Sequence, residues 1–176
     1  MLLRKINAVI SLLVTLLILD HTMFHAVWMI SKGTVEKSEG SMSFVLVGLV
    51  LIHAIISIAM AIFAHRNSEK RPYKQYPKMN AATLVQRISG ILMLILGGLH
   101  IVGALGLLHT PRIVFATITP IFFAIVLAHA AISTSKAFIT LGIGNAKVVK
   151  VIDVAMKVIC ALTLIADVAG FYIFLG

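Results

Sequence analysis

Leu84-Val85-Gln86-Arg87-Ile88-Ser89-Gly90 leads without a break into an apolar run that reaches His100. A charged, hydroxylated foot is followed, most of a helix further on, by a histidine set among leucines, isoleucines and glycines. A membrane span takes roughly 20 apolar residues, and this run is long enough. Four similar runs flank it, so spans are expected at about 6–30, 42–65, 83–108, 112–135 and 148–175. Together they take up most of the 176 residues and leave no room for a separate soluble domain. The composition agrees: 60% hydrophobic and 12% charged is too apolar for a water-soluble domain or a disordered chain. The expected fold is all-α, a single integral-membrane five-helix bundle over residues 1–176. Its backbone polar groups must pair within each helix, as hydrocarbon requires.

The net charge of +9 is not a nucleic-acid signature, because the basic residues gather in the connections between spans. Arg4 and Lys5 precede the first span. Arg66, Lys70, Arg71, Lys74, Lys78 and Arg87 lie between the second and third, and Lys136, Lys147, Lys150 and Lys157 flank the last connection. The opposite side has only Lys32, Lys37 and Arg112. Twelve against three puts the N-terminus in the cytoplasm and the C-terminus outside, in a multi-pass protein of the cytoplasmic (inner) membrane. Met1 to Lys5 looks like the start of a signal peptide. The apolar run behind it is too long, and no small-x-small site precedes Asp20, so a retained span is expected. The stretch from Arg66 to Thr83, with Pro72, Tyr73, Tyr76 and Pro77, is the natural docking surface for a cytoplasmic partner. The single cysteine, Cys160, excludes an internal disulfide, a thiolate cluster held by this chain alone and a covalent Cys-x-x-Cys-His haem attachment. It is expected to pack as a small apolar residue.

Ionisable groups inside a span are costly, and their default reading is functional. Asp20, His21 and His25 lie near the outer end of the first span, followed by Trp28, which suits the interface belt. His21 and His25 are four apart and share a helix face. His53 lies in the second span, His100 in the third and His129 in the fourth, beyond Pro120. The fifth has Asp167 but no histidine. His65 and His109 sit at span ends. A lone buried histidine is commonly a hydrogen bond to a neighbouring helix. One on each of four successive helices is the pattern of a ligand set, and low-spin b-type haem takes two neutral imidazoles from facing helices.

Depth suggests the pairing. His21 lies 16 residues beyond Lys5 and His100 16 beyond Leu84, so both are roughly 24 Å from the inner end. His53 lies 13 before Arg66 and His129 13 before Gly142, roughly 20 Å from that end if the fourth helix continues past Lys136. This sets His21 with His100 towards the outside and His53 with His129 towards the cytoplasm. Five glycines in the third span (Gly90, Gly97, Gly98, Gly103, Gly106) suit either close helix packing or a flat macrocycle.

Gln86-Arg87-Ile88-Ser89-Gly90, with His100 ten residues on, resembles the Arg-x-Ser-Gly signature of the membrane anchor of succinate dehydrogenases and fumarate reductases. Leu19-Asp20-His21, Leu51-Ile52-His53-Ala54 and Ala128-His129-Ala130, with Ile139 to Ile143 downstream, resemble the other ligand segments. The chain is similar to the single-chain, five-helix, two-haem cytochrome b subunit of that family, over helices 1 to 4 and loosely helix 5. The resemblance implies two haem b groups. His53 and His129 would bind the proximal iron and His21 and His100 the distal iron, with His25 as the alternative to His21 on the first helix. It also implies a flavoprotein and an iron–sulfur subunit on the cytoplasmic side, and a quinone of the menaquinone type. Assembly of the whole complex into oligomers is compatible with it. Arg87, Ser89 and Lys136 would meet haem propionates, although Lys136 also suits simple snorkelling. Asp20, His25 and His109 are candidate quinone proton donors, with Trp28 placed to stack on the ring. Asp20 is also a candidate partner that orients His21. This sequence departs from the family in its short external connections, in Ser133 where a glycine often follows, and in Leu127 where some members have a glutamate. Two other readings explain part of the pattern: a small transporter with a His/Asp proton relay, and a haem-poor structural anchor. The transporter lacks the paired broken helices of transport sites.

Overall fold

The computed structural model describes residues 2–32, 34, 40–68, 81–107 and 112–175. They form five helices: α1 (Leu2–Ile30), α2 (Gly40–Ser68), α3 (Ala81–Ala104), α4 (Arg112–Leu141) and α5 (Ala146–Leu175). α1 to α4 are long and apolar enough to cross a membrane, which makes this a helical protein of the multi-pass type. α5 is as long but carries Lys147, Lys150, Asp153, Lys157 and Asp167.

α1 starts at Leu2 rather than near 6, α2 runs on to Ser68 rather than 65, and the ends of α3 and α4 also differ from expectation. α3 stops at Ala104 rather than near 108, because Gly106 turns left-handed (φ 69°) and caps the helix. The Gly106 amide then bonds the Gly103 carbonyl and the Leu107 amide bonds Val102, the paired bonds of a glycine-terminated helix. α4 runs to Leu141 rather than 135, and Gly142 (φ 74°) ends it with the same two bonds, to Ile139 and Phe138. Asn145 starts α5 at once: its Oδ1 accepts the amides of Lys147 and Val148 at 3.0 and 3.1 Å.

Contacts fix the topology. Asn7 Nδ2 donates to Ser57 Oγ across α1 and α2, and Gln86 Nε2 donates to Ser133 Oγ across α3 and α4. Each pair joins the start of one helix to the end of the other, so both are antiparallel. His25 on α1 meets Asp167 on α5, both late in their helices, so those two run parallel. The starts of α1, α3 and α5 therefore share one end with the ends of α2 and α4. This basic end has Arg4, Lys5, Arg87, Lys147 and Lys150.

α1, α4 and α5 pack on one another in a triangle, while α2 lies along α1 and α3 along α4. Small residues set how closely the triangle closes. A methyl on Gly170 would stand 2.9 Å from the Ala26 carbonyl oxygen, so α5 touches the α1 backbone there. Leu127, Ala130, Ala131 and Cys160 form the buried α4–α5 seam. Buried hydroxyls of α1, α4 and α5 bond back along their own helices, Thr22 to Ile18, Thr134 to Ala130 and Thr163 to Ile159. α2 and α3 leave apolar rows exposed, among them Leu51, Ile55, Ile58 and Ile62, and Ile88, Ile91 and Ile95. Rows of this length are stable against lipid rather than water.

Candidate functional site

The histidines gather at two heights, separated by an apolar layer. His21 and His25 on α1 lie within electrostatic reach of His100 on α3, and His53 on α2 within reach of His129 on α4. His21 lies 19 residues into α1 and His100 19 residues into α3, counted from Leu2 and Ala81. The layer between the two sets is Val14, Ile18 and Val126, with Leu46, Leu49, Val50, Met93 and Phe122 packed against it.

At the end away from the basic residues, Phe123 of α4 is the pivot, 2% exposed. Its ring centroid lies 6.5 Å from His21, 5.4 Å from His25 and 5.7 Å from His100. Phe122 stacks on His100 at 5.2 Å, and a methyl on Gly97 would stand 3.5 Å from the Phe122 ring. That glycine admits an aromatic side chain of α4. His25 Nδ1 is 2.9 Å from Asp167 Oδ1, and Asp167 is 0% exposed. Its Oδ2 has no hydrogen-bond partner among the described residues. Trp28 lies half-buried over this pair, 6.4 Å from His25 and 5.2 Å from Phe174. Asp20 points elsewhere: it is exposed and shares a small crevice with His21, Met42 and Ser43 on the α2 side.

Towards the basic end, α3 and α4 are joined by a polar chain. Lys136 Nζ donates to Gln86 Oε1 at 2.6 Å and to Thr83 Oγ1 at 3.4 Å. Gln86 Nε2 donates to Ser133 Oγ at 3.0 Å. Ser89 Oγ is 2.8 Å from His129 Nδ1 and 3.2 Å from the Gln86 carbonyl oxygen. A methyl on Gly90 would lie 3.5 Å from His129 Cε1. The signature residues thus divide by helix face: Gln86, Ser89 and Gly90 turn to α4, while Arg87 is exposed. Lys136 does not merely extend to the surface, since its amine is tied to α3. His53 Nδ1 is buried and has no hydrogen-bond partner among the described residues.

The structure thus gathers His21, His25 and His100 around Phe123, with His53 within electrostatic reach of His129. Among the described residues no three His, Cys, Asp or Glu side chains are close enough to hold a bare metal ion. His109, the stretch 69–80 and the side chain of His65 lie outside the described residues. Sequence reasoning singled out Asp167 and His25 separately and missed their contact. A depth count sets the two at one height but not side by side: 23 residues into α1 and 21 into α5 differ by only ~3 Å. It also missed Phe122, Phe123, Gln86 and Ser133 as site residues, since each has an ordinary packing role at its position. No family of known proteins, no curated protein and no solved structure matches the chain.

Proposed function

We propose that this chain is the membrane anchor and electron-transfer subunit of a succinate:quinone oxidoreductase or quinol:fumarate reductase. It would pass electrons between an iron–sulfur subunit and a quinone, of the menaquinone type, through two b haems. The observation that carries the reading is that histidines of different helices gather at two heights, His21 and His25 of α1 with His100 of α3 around Phe123, and His53 of α2 towards His129 of α4. His21 and His100 would hold the distal haem iron, and His53 and His129 the proximal one.

The residues present fit that group. Imidazole is its usual axial donor, and each pair comes from two different helices. His53 has a buried ring nitrogen with no hydrogen-bond partner among the described residues, a cost that a ligand bond removes. The two helices of each histidine pair, α1 with α3 and α2 with α4, do not pack closely on one another, whereas α1 packs on α4 between them. When bound, haem b supplies reversible one-electron transfer; the protein sets its environment. Val14, Ile18, Val126 and Phe122 exclude water between the two sites. Ser89, Gln86 and Lys136 hold α3 and α4 in register beside His129.

By the positive-inside rule the basic end faces the cytoplasm, where a flavoprotein and the iron–sulfur subunit would dock. The opposite end is then the quinone end. Of the donors expected there, His25 is held by a fully buried carboxylate, that of Asp167. This chain would perform only the quinone half of the reaction, and dicarboxylate chemistry belongs to the partner.

A dithionite-reduced minus oxidised spectrum of the purified chain is expected to show b-type bands, and their absence overturns the proposal. Alanine at His21, His53, His100 or His129 should each remove one haem, while His65→Ala should remove none. A His/Asp proton-coupled transporter is the second reading, favoured only by the His25–Asp167 contact. It predicts no such bands.

A further inference from the structure

Ser89 is buried, 7% exposed, and its hydroxyl oxygen stands between two atoms: the Gln86 carbonyl oxygen at 3.2 Å and His129 Nδ1 at 2.8 Å. A hydroxyl has one hydrogen to give and two lone pairs with which to accept. A carbonyl oxygen can only accept. The two neighbours are satisfied together in one way: Ser89 donates to Gln86, and the ring N–H of His129 donates to Ser89. The alternative sends the Ser89 hydrogen to His129 and leaves the hydroxyl facing the carbonyl oxygen without a hydrogen between them.

We propose that Ser89 is a positioning residue that fixes His129 as the Nδ1–H tautomer, leaving the Nε2 lone pair as the one that binds a metal centre. The iron is supplied by the two-haem reading above, on which the second half of the proposal rests. The tautomer itself stands on the chain alone. A neutral imidazole has one lone pair, and the hydrogen bond made by the other nitrogen decides which it is. That bond also raises the basicity of the free nitrogen and holds the ring at a fixed angle. Gly90 leaves the ring edge clear on the same helix face.

The test is ¹⁵N NMR of the full chain in detergent, labelled at histidine and prepared without haem, with the His129 signals assigned by their loss in His129→Gln. The expected result is a protonated, pyrrole-type Nδ1 and a pyridine-type Nε2. Ser89→Ala should shift these signals towards a tautomer mixture, and Ser89→Thr, which keeps the hydroxyl, should restore them. A pyridine-type Nδ1 in the wild-type chain, or signals unmoved in Ser89→Ala, overturns the proposal. In haem-loaded chain, Ser89→Ala should raise the midpoint potential of the haem that His129→Ala removes and leave the other in place. Unmoved potentials with both haems present defeat the ligand half. Absence of haem from the wild-type chain defeats the two-haem reading and leaves the tautomer to be judged by NMR.

Discussion

His25 and Asp167 do not share the cost of their contact equally. Asp167 is fully buried and one of its oxygens has no partner among the described residues, whereas the His25 side chain keeps 24% of its surface. Removing His25 leaves the buried Asp167 carboxyl without its partner on α1. Such broken buried pairs cost about 3–5 kcal/mol. Removing Asp167 leaves an imidazole that can stay neutral and still reach polar surroundings, so the loss is that of one hydrogen bond, about 1–2 kcal/mol, plus a small cavity. His25→Ala should therefore melt well below Asp167→Ala in detergent, and Asp167→Asn should be the mildest. Adding Asp167→Ala to His25→Ala should recover stability. Equal melting temperatures for the two alanine variants would show that the contact is not an ion pair. If His25 serves quinol protons, Asp167→Asn should also lower quinol-dependent turnover more than it changes haem content.

At the scale of the helices, contact with backbone separates glycines that matter from those that do not. At Gly170 a methyl would press on the Ala26 carbonyl, on Met29 and on Ile30, at 2.9 to 3.3 Å, and backbone cannot swing aside. Gly170→Ala should destabilise the bundle by about 1–3 kcal/mol, the usual cost of overpacking. At Gly48 a methyl meets nothing within 4 Å, so Gly48→Ala should stabilise α2 by about 0.5–1 kcal/mol through reduced chain entropy. Thermal unfolding followed by circular dichroism reads both. The same scale shows what could be read in advance. The five helices were legible, and α1 to α4 have the length and apolarity that lipid demands, both of which can be counted. The equal heights of His21 and His100 were legible because rise per residue is constant. Helix ends were less so. Lys136 looks like a boundary charge, yet its amine runs to Gln86 and α4 continues to Leu141. Lateral neighbours were not legible at all: nothing in α5 announces that it lies beside α1, and so the partner of His25 was hidden.

Across the whole molecule, burial and charge are distributed by different rules. The buried residues belong almost wholly to α1, α4 and α5, while α2 and α3 keep long apolar rows on the surface. That division gives the bundle a packed triangle and two outlying helices, each holding a histidine of one pair. Charge instead divides the molecule by its ends. Arg4, Lys5, Lys147 and Lys150 lie at one end and Lys32 at the other, a bias that orients chains as they insert. The proposed electron route depends on this orientation, because the iron–sulfur partner must meet the end nearer His53 and His129. The chain is suited to a direct test, since its single cysteine, Cys160, is buried. In a Cys160→Ser background, Lys147→Cys and Thr34→Cys place thiols at opposite exposed ends. A membrane-impermeant maleimide added to intact cells stripped of any outer layer should label Thr34→Cys and spare Lys147→Cys. Inverted membrane vesicles should give the reverse. Labelling of Lys147→Cys from outside would turn the bundle over, set the His53–His129 end away from the cytoplasm and remove the docking side on which the electron-transfer proposal depends.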